Sequence, residues 1–348
     1  MKAKKGVLLI NLGTPDSPKV SDVKKYLDEF LMDGRVIDIG QFQRNLLVRG
    51  IIVPFRSPKT AKLYEAIWDK EHGSPLLYYS LRQLELLRKE LGPDYQVELA
   101  MRYQQPSIEE ALEKFKANLI ESIVIFPLFP QYASATTGSV MEKVMRLMSK
   151  WNTFPQLSFV NQFYDNEQMI EAFAENGKRK DPTKFDHFLF SFHGLPMRQL
   201  KNVDNSGNHG CAATDCCQKI TESNKFCYSA QCHATARLIA ERLNIPKEDY
   251  TVCFQSRLGK EPWIQPYTSE VLKDVAARGK KSLLVFSPAF VADCLETLYE
   301  ITEEYGTEFR ALGGESVELV PSLNENPKWI SAMRDLVHAH EPHTDVLV

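Results

Sequence analysis

Four short apolar runs constrain this chain more than any other feature: VLLINL (7–12), SIVIF (122–126), the mostly apolar FDHFLFSF (185–192) and SLLVF (282–286). None approaches the roughly 18 apolar residues that a membrane-spanning helix requires. None alternates with polar residues as a half-exposed strand does, and each stops within two residues of a glycine or proline. That is the pattern of parallel strands buried on both faces. Helical segments follow: SDVKKYLDEFL (21–31), with Ser21 or Asp22 as its cap, SLRQLELLRKEL ending at Gly92-Pro93, and a segment from Ser107 to about Asn118. The two halves of the chain parallel one another. FDHFLFSFHG repeats the logic of VLLINLG, and residues 282–301 repeat that of 122–144, each an apolar strand, a proline-containing turn and a helix. The expectation is an α/β protein of two similar halves, each with a parallel sheet, and a ligand cleft between them.

A length of 348 residues suits two domains. No Gly/Ser-rich linker marks the boundary, which we set between an N-terminal domain of residues 1–165 and a second of 166–330, with a C-terminal helix and tail at 331–348. A net charge of −3 gives no reason to expect nucleic acid. The opening MKAKKGVLLINLG is basic and then apolar, but its apolar part runs straight into Gly-Thr-Pro-Asp without a cleavage-site pattern. It reads as a first strand, so a cytoplasmic location is expected. No GxGxxG fingerprint follows that strand, which argues against NAD.

Four groups of residues could carry chemistry. Segment 41–56, QFQRNLLVRGIIVPFR, is either a buried helix or an apolar lip at a cleft mouth, able to touch a flat ligand or a membrane surface. His193 stands at the end of an apolar strand and precedes Gly-Leu-Pro. It could be a structural histidine, or a base or metal ligand at neutral pH. Asp293, Glu296, Glu300 and Glu303 have spacings that, on an α-helix, put all four carboxylates within about 80° of one face. Such a row is commonly a solvated face; entering a cleft, it could pass a cation inward or protons outward. Finally, five of the seven cysteines, Cys211, Cys216, Cys217, Cys227 and Cys232, crowd into one stretch with the pattern C-x4-C-C-x9-C-x4-C. In a reducing compartment this favours metal over disulfides: zinc, an iron–sulfur cluster, or else free thiols.

Taken together, LLINLGTPDSP, RSPKTAKLYEAIW with GSPL, AMRYQQPSI, FPLFPQYASATTGS, SFHGLP, FQSRLGKEPWIQPYT and PAFVADCLETLYEI resemble, in order and over nearly the whole chain, the ferrochelatase family. These enzymes insert ferrous iron into protoporphyrin IX at the end of haem synthesis. The resemblance implies two Rossmann-like, chelatase-type domains with the porphyrin in their cleft. His193 and Glu296 then form the catalytic and metal-site pair, and Asp293 and Glu300 extend the carboxylate path. Arg56, Tyr64, Ser74, Arg102, Tyr103 and Trp263 match porphyrin-binding positions, and the apolar residues 46–55 match a lip that contacts membrane. Two departures stand out: Cys294 occupies a position where many members have histidine, and SFHGLPMRQLKN is followed by an inserted cysteine-bearing segment. Some bacterial members hold a [2Fe–2S] cluster in such a segment, so the resemblance implies that cofactor here, on four of the five cysteines within 201–232. A tetrapyrrole carrier, or a chelatase for another metal or tetrapyrrole, are the alternative readings.

Overall fold

The computed structural model describes residues 4–203, 216–257, 259 and 261–341. The chain forms two compact units. Unit 1 gathers Met1–Phe129, Ser134–Asn161 and Trp329–Val348; unit 2 gathers Pro130–Ala133 and Gln162–Lys328.

Unit 1 runs β1 (Lys5–Gly13), α1 (Val20–Leu31), α2 (Gln41–Leu47), a π-wound turn (Val48–Ile52), α3 (Val53–Ile67), α4 (Pro75–Leu91), β2 (Tyr95–Tyr103), α5 (Ile108–Ala117), β3 (Ser122–Pro127), a second π-wound turn (Ser134–Gly138), α6 (Ser139–Met148) and β4 (Gln156–Phe159). The sheet order is β2-β1-β3-β4, and every pair is parallel. Val7, Leu8, Leu9 and Ile10 are all buried, as a strand covered on both faces requires. Leu8 and Ile10 pack with Ile123, Ile125, Phe115 and Val144 on one side of the sheet. Helix α5 begins with a complete capping box, Ser107 and Glu110 each satisfying the other's backbone N–H. Helix α1 differs from expectation at its start. It begins at Val20 without a side-chain cap; Lys19 holds the cap position, and Asp22 lies in the first turn, where its carboxylate accepts from the Ser17 hydroxyl at 2.6 Å.

Unit 2 runs α7 (Glu167–Lys178), β5 (His187–His193), α8 (Met197–Lys201), α9 (Tyr228–Leu243), β6 (Tyr250–Gln255), α10 (Thr268–Ala277), β7 (Ser282–Phe286), a π-helix (Glu296–Tyr305), α11 (Gly306–Ala311) and β8 (Ser316–Leu319). Its sheet order is β6-β5-β7-β8, again all parallel. Leu189, Leu283, Val285, Leu272, Ile301 and Phe309 form its core. The last helix, α12 (Pro327–Ala339), returns the chain to unit 1, where the fully buried Trp329 meets the Phe126 ring edge-on at 6.5 Å.

The α/β class and the parallel sheets agree with the expectation. Each sheet also carries a four-residue edge strand, β4 and β8, which the apolar-run criterion passed over. QLSF and SVEL are too short and too polar to announce themselves; they are strands because β3 and β7 offer them an edge to pair with.

Candidate functional site

His193 is the last residue of β5 and lies beside Gln255, the last residue of β6, in the parallel register. Its Nδ1 is 2.7 Å from the Gly194 carbonyl oxygen. A carbonyl can only accept, so Nδ1 carries the hydrogen and, in the neutral ring, Nε2 is left with its lone pair. The loop beyond is clamped. Gly194 N donates to Gln255 O at 2.8 Å, Met197 N to Pro262 O at 2.9 Å and Ile264 N to Leu195 O at 2.9 Å. A Cβ on residue 194 would fall 2.9 Å from Gln255 O and 3.2 Å from the Trp263 ring, so only glycine lets the strands approach this closely.

Gln255 joins His193 to the acidic segment. Its Nε2 donates to the Glu296 backbone carbonyl at 2.9 Å and to the Glu300 carboxylate at 3.0 Å, while its Oε1 accepts from the Ser191 hydroxyl at 2.7 Å. Glu300 receives two further bonds, from Ser256 Oγ at 2.6 Å and from Tyr305 OH at 3.1 Å. Ser256 adopts a left-handed conformation with φ of 66°, a strain of roughly 1 kcal/mol or more held at the end of β6. The Glu296 carboxylate is hydrogen-bonded by the thiol of Cys294. Burial first, and then the charge of Glu296, push that thiol well above its ordinary pKa, so Cys294 is a neutral donor.

The carboxylate row differs from the α-helical expectation. Residues Glu296–Tyr305 are π-wound, so backbone bonds run i→i+5 and residues five apart come to lie over one another. Hence Glu300 meets Tyr305, whereas Glu303 is exposed. Asp293 precedes the helix and is buried. Its carboxylate is filled by Ser322 N at 3.1 Å, Asn324 Nδ2 at 2.7 Å and Thr297 Oγ1 at 3.1 Å. Nothing in the residue types separates a π- from an α-winding, since both satisfy the same backbone groups.

Trp263 is buried against Gly194, and its indole N–H has no hydrogen-bond partner among the described residues. In unit 1, Arg56 is exposed on α3, Tyr64 is buried edge-on to Tyr26 at 6.2 Å, and Ser74 is buried at the start of α4. Arg102 and Tyr103 belong to a network that sequence reasoning missed, centred on Asp33. Arg102 Nη2 lies 2.5 Å, Tyr103 OH 2.9 Å and Ser139 Oγ 2.5 Å from Asp33 Oδ2. Burial works against ionisation of Asp33, but the Ser139 hydroxyl, the Arg35 amide and Arg102 outweigh it and hold the carboxyl below its usual range.

In the segment 41–55, α2 buries none of its residues, and Phe42, Leu46, Ile51 and Phe55 are exposed; Val48 and Val53 are buried. The buried-helix reading of this stretch therefore gives way to an exposed apolar surface. No helix among the described residues is long and apolar enough to cross a membrane.

Of the cysteine segment, Cys211 lies outside the described residues. Cys216 and Cys217 share one short 3-10 turn, Cys227 precedes α9, and Cys232 is fully buried one turn into it. Cys217 Sγ is 3.3 Å from Ser229 Oγ. Burial, opposed by a hydrogen bond from Tyr228 and reinforced by nearby Cys217, raises the Cys232 thiol well above its ordinary pKa. Among the described residues, no three His, Cys, Asp or Glu side chains are grouped as metal ligands.

Comparison with known proteins gives a consistent result. Residues 4–341 match the protein family described as ferrochelatase. The ferrochelatase of Legionella pneumophila (strain Lens) is 44% identical over 336 residues, 96% of this chain and 99% of that protein. That of Coxiella burnetii (strain Dugway 5J108-111) is 43% identical over 337 residues, 94% of this chain and 91% of that one. Among solved structures, the sirohydrochlorin chelatase SirB from Bacillus subtilis subspecies spizizenii, in complex with cobalt, superposes with a TM-score of 0.51 at 13% identity. That match covers 97% of this chain and 94% of SirB, and is a likeness of fold.

Proposed function

Because this chain belongs to the ferrochelatase family, and so inserts ferrous iron into protoporphyrin in haem synthesis, we propose that His193 and Glu296 are the pair that performs the exchange. Metallation removes two pyrrole N–H protons and strips water from Fe²⁺. With Nδ1–H spent on the Gly194 carbonyl, His193 offers Nε2 as the base for a pyrrole proton or as a nitrogen ligand for the incoming iron. Glu296, a hard oxygen donor at the head of the π-helix, takes the complementary role. Glu300 continues the path, and Asp293, with its oxygens committed to Ser322, Asn324 and Thr297, braces the turn that presents them. The orientation of the His193 ring, together with the bridge from Gln255 to Glu296 and Glu300, is the observation that carries this reading.

Arg56, exposed on α3, is suited to a porphyrin propionate, and the flat Trp263 to the macrocycle. Tyr64 and Ser74 contribute walls, while Arg102 and Tyr103 support them through Asp33. Anaerobic assay of haem formation tests the pair: His193→Ala and Glu296→Gln should lower turnover about 10²-fold or more while porphyrin still binds, as read by its fluorescence. Retained turnover in either variant removes that residue from the pair.

Two further assignments belong to the same proposal. The cysteine segment suits a [2Fe–2S] cluster by its donor chemistry, since soft thiolates are the ligands such clusters take. Cys216 or Cys217, Cys227 and Cys232, with Cys211, would hold it. A bound cluster would supply a staple sensitive to oxidants and iron supply. Visible charge-transfer absorption with matching iron and acid-labile sulfide in anaerobically purified protein, lost in Cys211→Ser, is the expected result. A colourless, sulfide-free protein removes the cluster. The exposed apolar residues of 42–55 would rest on a membrane surface. Paired substitution of Phe42 and Phe55 by Glu should abolish sedimentation with vesicles, and unchanged sedimentation would refute it.

A further inference from the structure

Tyr228 opens α9, the helix that also carries Cys232, and its ring is buried. Its hydroxyl donates to the backbone carbonyl of His193 at 2.9 Å. The peptide joining His193 to Gly194 is thereby held at both ends, its C=O by Tyr228 and its N–H by Gln255 O at 2.8 Å. That matters because residue 194 is glycine, the one residue whose backbone swings freely on either side of a peptide plane. The acceptor that fixes the His193 ring is Gly194 O, one peptide further on. If the first plane tips, that oxygen moves, and Nδ1–H loses the partner that leaves Nε2 unprotonated.

The phenol has one further neighbour. The Cys232 thiol, one helical turn on, is hydrogen-bonded to the same hydroxyl group.

We propose that Tyr228 is a positioning residue for metal insertion, setting the tautomer and direction of the His193 ring by anchoring the His193–Gly194 peptide. The proposal rests on the assignment of His193 as base or ligand. Tyr228 acts through the backbone, its hydroxyl bonded to the His193 carbonyl.

Tyr228→Phe keeps the ring and removes the hydroxyl, and with it the bond to the His193 carbonyl and the contact with Cys232. Its kcat should fall on the order of ten-fold, with the KM values for porphyrin and iron within about two-fold of the parent. Nitrogen-15 NMR of histidine-labelled protein gives the readout that a merely structural role would not move. In the parent protein, His193 should show the Nδ1–H tautomer, and in Tyr228→Phe a mixture of both. A parent spectrum with the proton on Nε2 overturns the proposal whether or not the variant folds. So does a variant with parental kcat and an unchanged tautomer. His193→Ala separates the two levels. If that variant is inactive while Tyr228→Phe behaves as the parent, this inference alone fails; if His193→Ala keeps its rate, the assignment beneath it fails too.

Discussion

The two units share a strand order and, at the end of the first strand, a construction. In unit 1, β1 ends at Gly13, where a Cβ would fall 2.0 Å from the carbonyl of Tyr103, the last residue of β2. In unit 2, the chain leaves β5 through Gly194, where a Cβ would fall 2.9 Å from the carbonyl of Gln255, the last residue of β6. In both, the turn after the third strand leads into π-wound backbone, at Ser134–Gly138 and at Glu296–Tyr305. The side chains differ. The residue ahead of the glycine is Leu12 in one unit and His193 in the other, and the π segment is SATTG in one and ETLYEITEEY in the other. The close strand approach and the widened turn thus belong to the fold, and unit 2 adds the acid–base groups to them.

The largest expected break in this comparison is chemical. His193→Ala should lower kcat about 10²- to 10⁴-fold in an anaerobic haem-formation assay, and a parental rate would mean that β5 ends in no more chemistry than β1 does. The two glycines should then fail in different currencies of measurement. Gly13→Ala combines a φ of +116° with a backbone clash. It should cost about 3 kcal/mol or more of stability by denaturant titration. Gly194→Ala, without the positive φ, should cost about 1–2 kcal/mol and show mainly as lost turnover. Equal stability losses with full activity in both would erase the distinction.

Acid should also separate the units. Burial first, and then the charges of Arg278 and Lys280, lower the pKa of His187 to about 4; burial, Lys247 and Arg237 do the same for His233. Both lie in unit 2. A histidine depressed from 6.5 contributes stability that is whole above that pH and drains as pH falls toward 4, about 3 kcal/mol for each. Asp33 in unit 1 is lowered from 3.8, so its contribution goes only in stronger acid. Hydrogen exchange at pH 5 should therefore show β5 and β6 loosening ahead of β1 and β2; the reverse order would refute it. The smallest expected effect is shared. Ser107 caps α5 and Asn166 caps α7, and alanine at either should cost about 1 kcal/mol by thermal melting, with activity intact.

The features that apolar patterning controls could be read directly from the residues: the buried strands, the α/β class and the internal repeat. The edge strands β4 and β8 could not, because their pairing comes from a neighbour and not from their own four residues. Glu296 and Glu300 were visible as acidic residues, but their relation to Glu303 and Asp293 depended on a winding that no residue type announces. Gln255, Ser256 and Tyr228 escaped notice because each acts through a partner distant in sequence, and Tyr305 because it meets Glu300 only through the π-winding. The Asp33 network was hidden for the same reason, its four side chains coming from α6, the end of β2 and the turn after α1. Conversely, the exposure of Phe42 and Phe55 was foreshadowed only as one of two alternatives, since the same apolar residues would also suit a buried helix.

The path of the chain has a consequence for how the protein is made. Unit 1 takes its last pieces from Trp329 onward, and the Trp329 indole, wholly buried, fills space beside Phe126. Unit 2 is complete by Lys328. A ribosome delivers residues in order, so the core of unit 1 waits, with that space unfilled, until nearly the whole chain has emerged. The unit translated first is the unit finished last.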